Sequence, residues 1–247
     1  MPLVETEAIV LRTYRLGEAD KIVSLFTRQM GRVRAVASGA QRTKSRYGGT
    51  LESLCYVRLW FYERENRDLA RLNSVELIES FFDMQKDYAA HVAGQYAVEV
   101  CEYLLPEREV NERVFRLLLV VLRSLKRFRE LDRPLVYFNY WMLRLGGFLP
   151  DLSVCGACGR SFQDETVYYG PGAPMPVGKE CRTGAGNALS AKALAETETA
   201  CVRLLDKWME ESAIPKFCKE VRSFLEFLVE SQLERKLVTR GLLTEVS

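Results

Sequence analysis

Histidine occurs once in the 247 residues, at His91. A single imidazole takes away the usual general base and the commonest metal ligand from any site needing two. No GxxxxGK[ST] loop is present, so hydrolysis of a nucleotide at a P-loop is not expected. The longest uninterrupted apolar run, Leu117 to Leu122, falls far short of the roughly 20 residues that cross a bilayer. The opening MPLVETEAIV is acidic and lacks a basic region ahead of an apolar core, so no secretory signal is expected. Seven cysteines, scattered and odd in number with one CxxC, suit a reducing cytoplasm better than a disulfide framework. These absences point to a cytoplasmic, membrane-free and non-enzymatic protein.

One local absence is more informative. Lys21 to Leu51 holds seven basic residues (Lys21, Arg28, Arg32, Arg34, Arg42, Lys44, Arg46) and no acidic one. The whole chain carries only +2, yet residues 1–80 have 13 Lys+Arg against 10 Asp+Glu, leaving 22 against 23 for the rest. A positive excess confined to the first third is the electrostatic footprint of a polyanion-holding surface.

Five runs rich in Val, Ile, Phe, Tyr and Trp precede Phe81: Glu5–Thr13, Asp20–Thr27, Gly31–Ser38, Ser53–Tyr62 and Asp68–Glu79. Gln29-Met30-Gly31 forms a short hairpin connection, with Gly31 free to take a positive φ. Five short strands with a long insert after the third predict a Greek-key barrel of the OB type. Period-two alternation places Val57, Leu59 and Phe61 inside and Tyr56, Arg58, Trp60 and Tyr62 outside. In the third run Val33, Ala35 and Ala37 oppose Arg32, Arg34 and Val36. Guanidinium groups interleaved with rings suit a nucleic acid, bases stacking on the rings while arginine neutralises phosphate. The competing reading has Trp60 and Tyr62 cover a sheet face or pack on a neighbouring domain. Ser38–Thr50 reads as a phosphate-contacting arm, or as a merely soluble connection.

From Asp83 the period becomes helical. Tyr88, Val92, Tyr96, Val100 and Leu104 share one face before Pro106. Asn111 caps a helix over Val114–Phe128 whose C-terminal end is basic, and Pro134 opens a third helix ending at Gly146-Gly147. Ser190 caps a helix through Met209, and another follows Pro215. The resulting fold class is α+β: residues 1–80 an OB-fold domain, residues 81–247 a helical domain interrupted at 151–187. Arg235, Lys236 and Arg240 form a second small basic cluster, read either as a solvated helix end or as an extension of a nucleic-acid track.

The interruption carries Cys155 and Cys158 as CxxC, then Gly159, and after 22 further residues Cys181. That is the beginning of a zinc knuckle, but position 178, where a fourth cysteine belongs, is glycine. Cys201, Glu180, Asp164 or water are candidates to complete the set. The alternatives are a degenerate knuckle held by Phe162, Tyr168 and Tyr169, or a redox CxxC without the strand-then-helix setting of one.

The stretches EADKIVSLFT…GRVRAVASGA and GGFLPDLSVCGACGRSF, with DLARLNSVELIESF between them and ERKLVTRGLL after, resemble the bacterial RecO family of recombination mediators over nearly the whole chain. The resemblance implies an OB fold, a helical bundle and a zinc-binding insertion. It also implies binding of single- and double-stranded DNA, annealing of complementary strands, and RecR, single-stranded DNA-binding protein and, indirectly, RecA as partners. Zinc is implied with three of its four cysteines, Cys155, Cys158 and Cys181. For DNA, the candidates are Lys21, Arg32, Arg34, Arg42, Lys44, Arg46, Arg58, Trp60 and Tyr62. A protein–protein adaptor using the barrel only as scaffold is the alternative.

Overall fold

In the computed structural model, which describes residues 3–62, 69–171 and 173–245, the first third closes on itself. Strands β1 (Leu3–Leu16), β2 (Asp20–Thr27), β3 (Gly31–Ala37), β4 (Cys55–Tyr62) and β5 (Leu69–Ser80) form a barrel in the order β1-β2-β3-β5-β4. Neighbours are antiparallel except β3 and β5, which run parallel from Arg34↔Leu69 to Val36↔Arg71. That closing parallel pair gives the expected OB topology. The expected fifth run began at Asp68, which lies outside the described residues; β5 begins at Leu69.

Alternation dictates the interior. Ala8, Val10, Val23, Leu25, Val33, Ala35, Val57, Leu59 and Phe61 all turn inward and are fully or almost fully buried. The turn-rich segment 38–54 closes one end, where Tyr47 is buried and its hydroxyl donates to the Leu72 carbonyl at 3.2 Å. Gly31 has φ +67, and a Cβ there would meet the Glu109 carbonyl oxygen at 2.1 Å. Both the turn and the close approach of the chain after α1 require glycine at this position.

A 3-10 turn (Phe82–Lys86) leads into α1 (Tyr88–Leu104), α2 (Glu112–Phe128) and α3 (Asp132–Leu145). Asp87 accepts from the Ala90 amide at 3.2 Å, and Asn111, as expected, accepts from Val114 at 3.1 Å. Pro134 falls at the third position of α3, still in the first turn where no amide is needed. Part of the barrel's outer surface is covered. Ile9, Leu11, Phe26 and Tyr56 join the helical core, with the Phe115 ring of α2 tilted against Phe26 at 5.7 Å and edge-on to Tyr56 at 6.1 Å. The barrel interior is a separate cluster.

The interruption, with the three residues after it, forms a small sheet absent from the sequence expectations: β6 (Thr166–Gly170), β7 (Ala173–Val177) and β8 (Asn187–Ser190), ordered β7-β6-β8. Tyr169 of β6 packs its ring 4.8 Å from Phe224, anchoring the sheet to the helices. The helix expected through Met209 is two, α4 (Ala191–Cys201) and α5 (Leu205–Met209). Trp141 Nε1 donates to the Cys201 carbonyl at 3.0 Å, and the break at 202–204 swings Trp208 into the core. Helices α6 (Phe217–Leu233) and α7 (Val238–Glu245) complete the chain. No helix among the described residues is long and apolar enough to cross a membrane.

Candidate nucleic-acid interface and cysteine cluster

The anticipated basic residues separate into two groups by their partners. Arg32 and Arg34 do face out of the barrel, but toward the segment after α1. Arg32 is 3.6 Å from Glu102 and 3.4 Å from Glu107, and its Nε donates to the Leu105 carbonyl at 3.1 Å. Arg34 lies 2.9 Å from Glu107. Lys21 pairs with Glu52 at 3.2 Å, the first acid beyond the basic stretch. Arg28 spans Glu7 at 3.0 Å and Glu112 at 2.9 Å, tying β1 to α2. These four cations spend much of their charge inside the protein.

Arg42, Lys44 and Arg46 differ. All three are exposed on the 38–54 segment, and none is paired with a carboxylate among the described residues. The segment is nonetheless held in place. Gln41 Nε2 donates to the Asp20 carbonyl at 2.6 Å, and the Asp20 carboxylate accepts from the Gly39 amide at 2.7 Å. Arg46 donates to the Tyr47 hydroxyl at 2.8 Å and lies over its ring at 4.9 Å, above the buried Tyr47–Leu72 contact. Three cations on a braced loop over a barrel end can contact a phosphate chain without first breaking an internal ion pair.

On β4 the aromatic and basic side chains point outward as expected, but in acidic company. Arg58 is flanked by Glu7 on β1 and Glu76 on β5 and reaches Glu5 at 3.7 Å. Trp60, half-buried, donates from Nε1 to Glu5 at 3.0 Å and has Ser74 on its other side. Tyr62 is flanked by Leu3 and Arg71. Arg71 is exposed and stands between Val36 and Tyr62, joining the β3 and β4 faces across β5. Sequence reasoning missed Arg71, because only the parallel β3–β5 register brings it between those faces.

The three cysteines come together. The Sγ atoms of Cys155, Cys158 and Cys181 lie within 4.8 Å of one another. Cys155 is buried and accepts from the Gly178 amide at 3.5 Å. Burial pushes its thiol up, but the amides of Gly178, Ala157 and Cys158 outweigh it and hold the thiol at about 6. Hydrogen bonding with Cys158 and Cys155 pushes the Cys181 thiol up to about 11. Gly156 admits the tight knuckle, since a Cβ there would lie 2.6 Å from the Met175 Cβ. Of the candidates to complete the set, Cys201 is buried in the helical core, and neither Glu180 nor Asp164 joins the group among the described residues. The donor set fits a thiophilic ion held at three corners, with an amide, as in a knuckle, turned onto sulfur. Phe162 and Tyr169 pack on the helical core, so the insertion is also anchored without metal.

A closed OB barrel with a basic loop, a helical part packed on its flank and a three-thiol insertion defines the class: OB-fold proteins with an appended helical region. Comparison with known proteins narrows it. The family model "Recombination protein O N terminal" matches residues 1–81, and "Recombination protein O C terminal" matches 85–241. DNA repair protein RecO of Koribacter versatilis is 38% identical over 254 residues, 99% of either chain. Its namesake in Symbiobacterium thermophilum is 32% identical over 253 residues, 98% of this chain and 97% of its own. That of Anaeromyxobacter sp. (strain K) is 29% identical over 250 residues, 100% of this chain and 98% of its own. The chain belongs to the RecO family of DNA repair proteins.

Proposed function

We propose that this chain is a non-enzymatic DNA-binding mediator that holds single and double strands, anneals complementary strands and assists loading of the RecA recombinase together with RecR. The observation that carries the reading is the braced loop of Arg42, Lys44 and Arg46, whose cations lack carboxylate partners among the described residues. DNA phosphates take the loop, and Arg71, Tyr62 and Trp60 continue the surface along the barrel, where a base stacks on the half-exposed rings. Neutralised backbones repel each other less, so complementary strands meet more often. In this reading the barrel (1–80) receives DNA, the helical part (81–247) carries partner contacts, and the protein works in the cytoplasm on the nucleoid.

A groove of about 490 Å³ between α2, α3 and α5 supports the partner half of the reading. It is lined by apolar Leu117, Val120, Trp141 and Leu145 and by Arg113, Arg116 and Asp206, with Arg116 also paired to Glu112 at 2.7 Å. The apolar lining and the two arginines, which outnumber Asp206, suit an apolar peptide tail of acidic character, the chemistry the single-stranded DNA-binding protein offers.

Zinc is the metal we assign to Cys155, Cys158 and Cys181. Bound by these three thiolates it would cross-link the CxxC knuckle to the turn at Cys181, which follows β7, and so fix the insertion's shape, with water as the fourth ligand.

The test is annealing of complementary oligonucleotides by the wild-type chain and by Arg42→Ala/Lys44→Ala/Arg46→Ala. The reading predicts slower annealing and weaker binding for the variant. Unchanged binding with retained RecR association would leave an adaptor instead.

A further inference from the structure

Tyr103, near the C-terminal end of α1, carries two arginines from distant parts of the chain. Arg12 of β1 donates to its hydroxyl at 2.9 Å and lies 6.0 Å from the ring centre. Arg235, in the connection between α6 and α7, lies 3.9 Å above the same ring. Lys236 follows, exposed like Arg235. No carboxylate among the described residues pairs with any of the three cations. The acids of α1 on this side are engaged elsewhere: Glu102 accepts from Ser24 and faces Arg32, and Glu99 accepts from Thr239. Arg240, the third member of this cluster in the sequence, is likewise withdrawn into pairs with Glu226 and Glu230. Cations gathered on one ring repel one another, and a bound anion removes that repulsion.

The place of the cluster suggests which anion. Tyr14, two residues along the same face of β1 from Arg12, is 42% exposed. From there β1 runs to the turn at Gly17, whose carbonyl accepts from Gln41 of the basic loop. Leu16 and Arg12 are four strand steps apart, about 13 Å, comparable to about four base-pair steps along one strand of a duplex at 3.4 Å each. The cluster therefore continues the loop's track around the barrel onto the helical part.

We propose that Arg12, Tyr103, Arg235 and Lys236 form a second DNA-backbone site, with phosphates held by the cations and a base stacked on Tyr14. This rests on the loop as the first site and deepens that reading: one strand, or two, is held at both ends of the track.

The experiment measures binding of a fluorescent single-stranded 25-mer over a range of salt, using full-length wild type, Arg235→Ala/Lys236→Ala and the triple loop variant. Both exposed residues can be truncated without unpairing a carboxylate, and thermal melting checks the fold. The expected result is binding weakened about tenfold at low salt and a log–log salt slope shallower by about 1.4, two single-strand phosphate contacts. Arg235→Lys, which keeps the charge and loses the stack, recovers most of the slope. An unchanged slope in Arg235→Ala/Lys236→Ala alongside a reduced one in the loop variant overturns this inference and leaves the first site standing. Binding of a poly-glutamate peptide that needs Arg235 and Lys236, with the DNA slope unchanged, also overturns it and gives the patch to an acidic protein segment. No DNA binding by wild type sinks both.

Discussion

Arg32 of β3 and Glu107, just beyond α1, face each other across 3.4 Å, joined backbone to backbone by the Arg108 amide donating to the Arg32 carbonyl at 2.9 Å. An arginine from the middle of the most basic stretch thus fastens the barrel to the helices. Arg32→Ala leaves Glu102, which is almost fully buried, without that partner. The expected cost is about 2–3 kcal/mol, somewhat below that of a fully buried pair. Thermal melting should show a fall of roughly 5–10 °C, with the salt dependence of DNA binding unaltered.

Trp60 and Arg58, two residues apart on one face, should respond unequally. Arg58 is hemmed in by Glu5, Glu7 and Glu76, so Arg58→Ala removes little net attraction for DNA. Trp60→Ala removes a ring on which a stacked base would be worth about 1–3 kcal/mol, a loss of roughly 5- to 150-fold in affinity. Titration with single strands gives both affinities, and Trp60 accounts for part of any quenching of intrinsic fluorescence. Equal losses would mean that charge, not stacking, matters on this face.

Acid should loosen the seam between β1 and α2. For Glu7, burial raises the carboxyl but hydrogen bonds from Tyr56 and Arg28 outweigh it and hold it below the usual range. Glu112 is lowered by its hydrogen bonds with Arg28 and Arg116. A depressed folded-state carboxyl contributes stability above its unfolded pKa and loses it as pH falls through the folded value. Melting temperature should therefore drop below about pH 4.5, and Glu7→Gln/Glu112→Gln should melt lower at pH 7 with a flatter descent into acid. A descent as steep as wild type would place the acid sensitivity elsewhere.

Elemental analysis should find about one zinc per chain, lost in Cys155→Ser or Cys181→Ser. Because Tyr169 and Phe162 anchor the insertion independently, those variants should keep the helical far-ultraviolet signal while the insertion becomes more open to protease. Wild type free of metal after purification in zinc would remove the assignment.

The barrel was legible because period-two alternation is a strong signal: Val57, Leu59 and Phe61 could only be inside if Arg58, Trp60 and Tyr62 were outside. Asn111 announced α2 through its cap. What alternation cannot report is what covers the outside. Arg32 and Arg34 read as free cations because their acids, Glu102 and Glu107, lie about seventy residues downstream. Arg71 was invisible because its neighbours Val36 and Tyr62 meet only through a parallel register. The cysteines were legible by spacing, whereas β6, β7 and β8 are only four or five residues long, and β7 carries two prolines, so none shows a period. Arg12 and Arg235 share a ring only because α1 lies between the two ends of the chain.

The loop carrying Arg42, Lys44 and Arg46 is the DNA contact on which the proposed function rests. Its most direct test is the salt dependence of single-strand binding by wild type and by the variant with all three replaced by alanine. The variant's log–log slope should be shallower by about two, from three lost phosphate contacts at roughly 0.7 each, with an unchanged melting temperature. The same slope in both proteins would mean that the loop does not hold DNA.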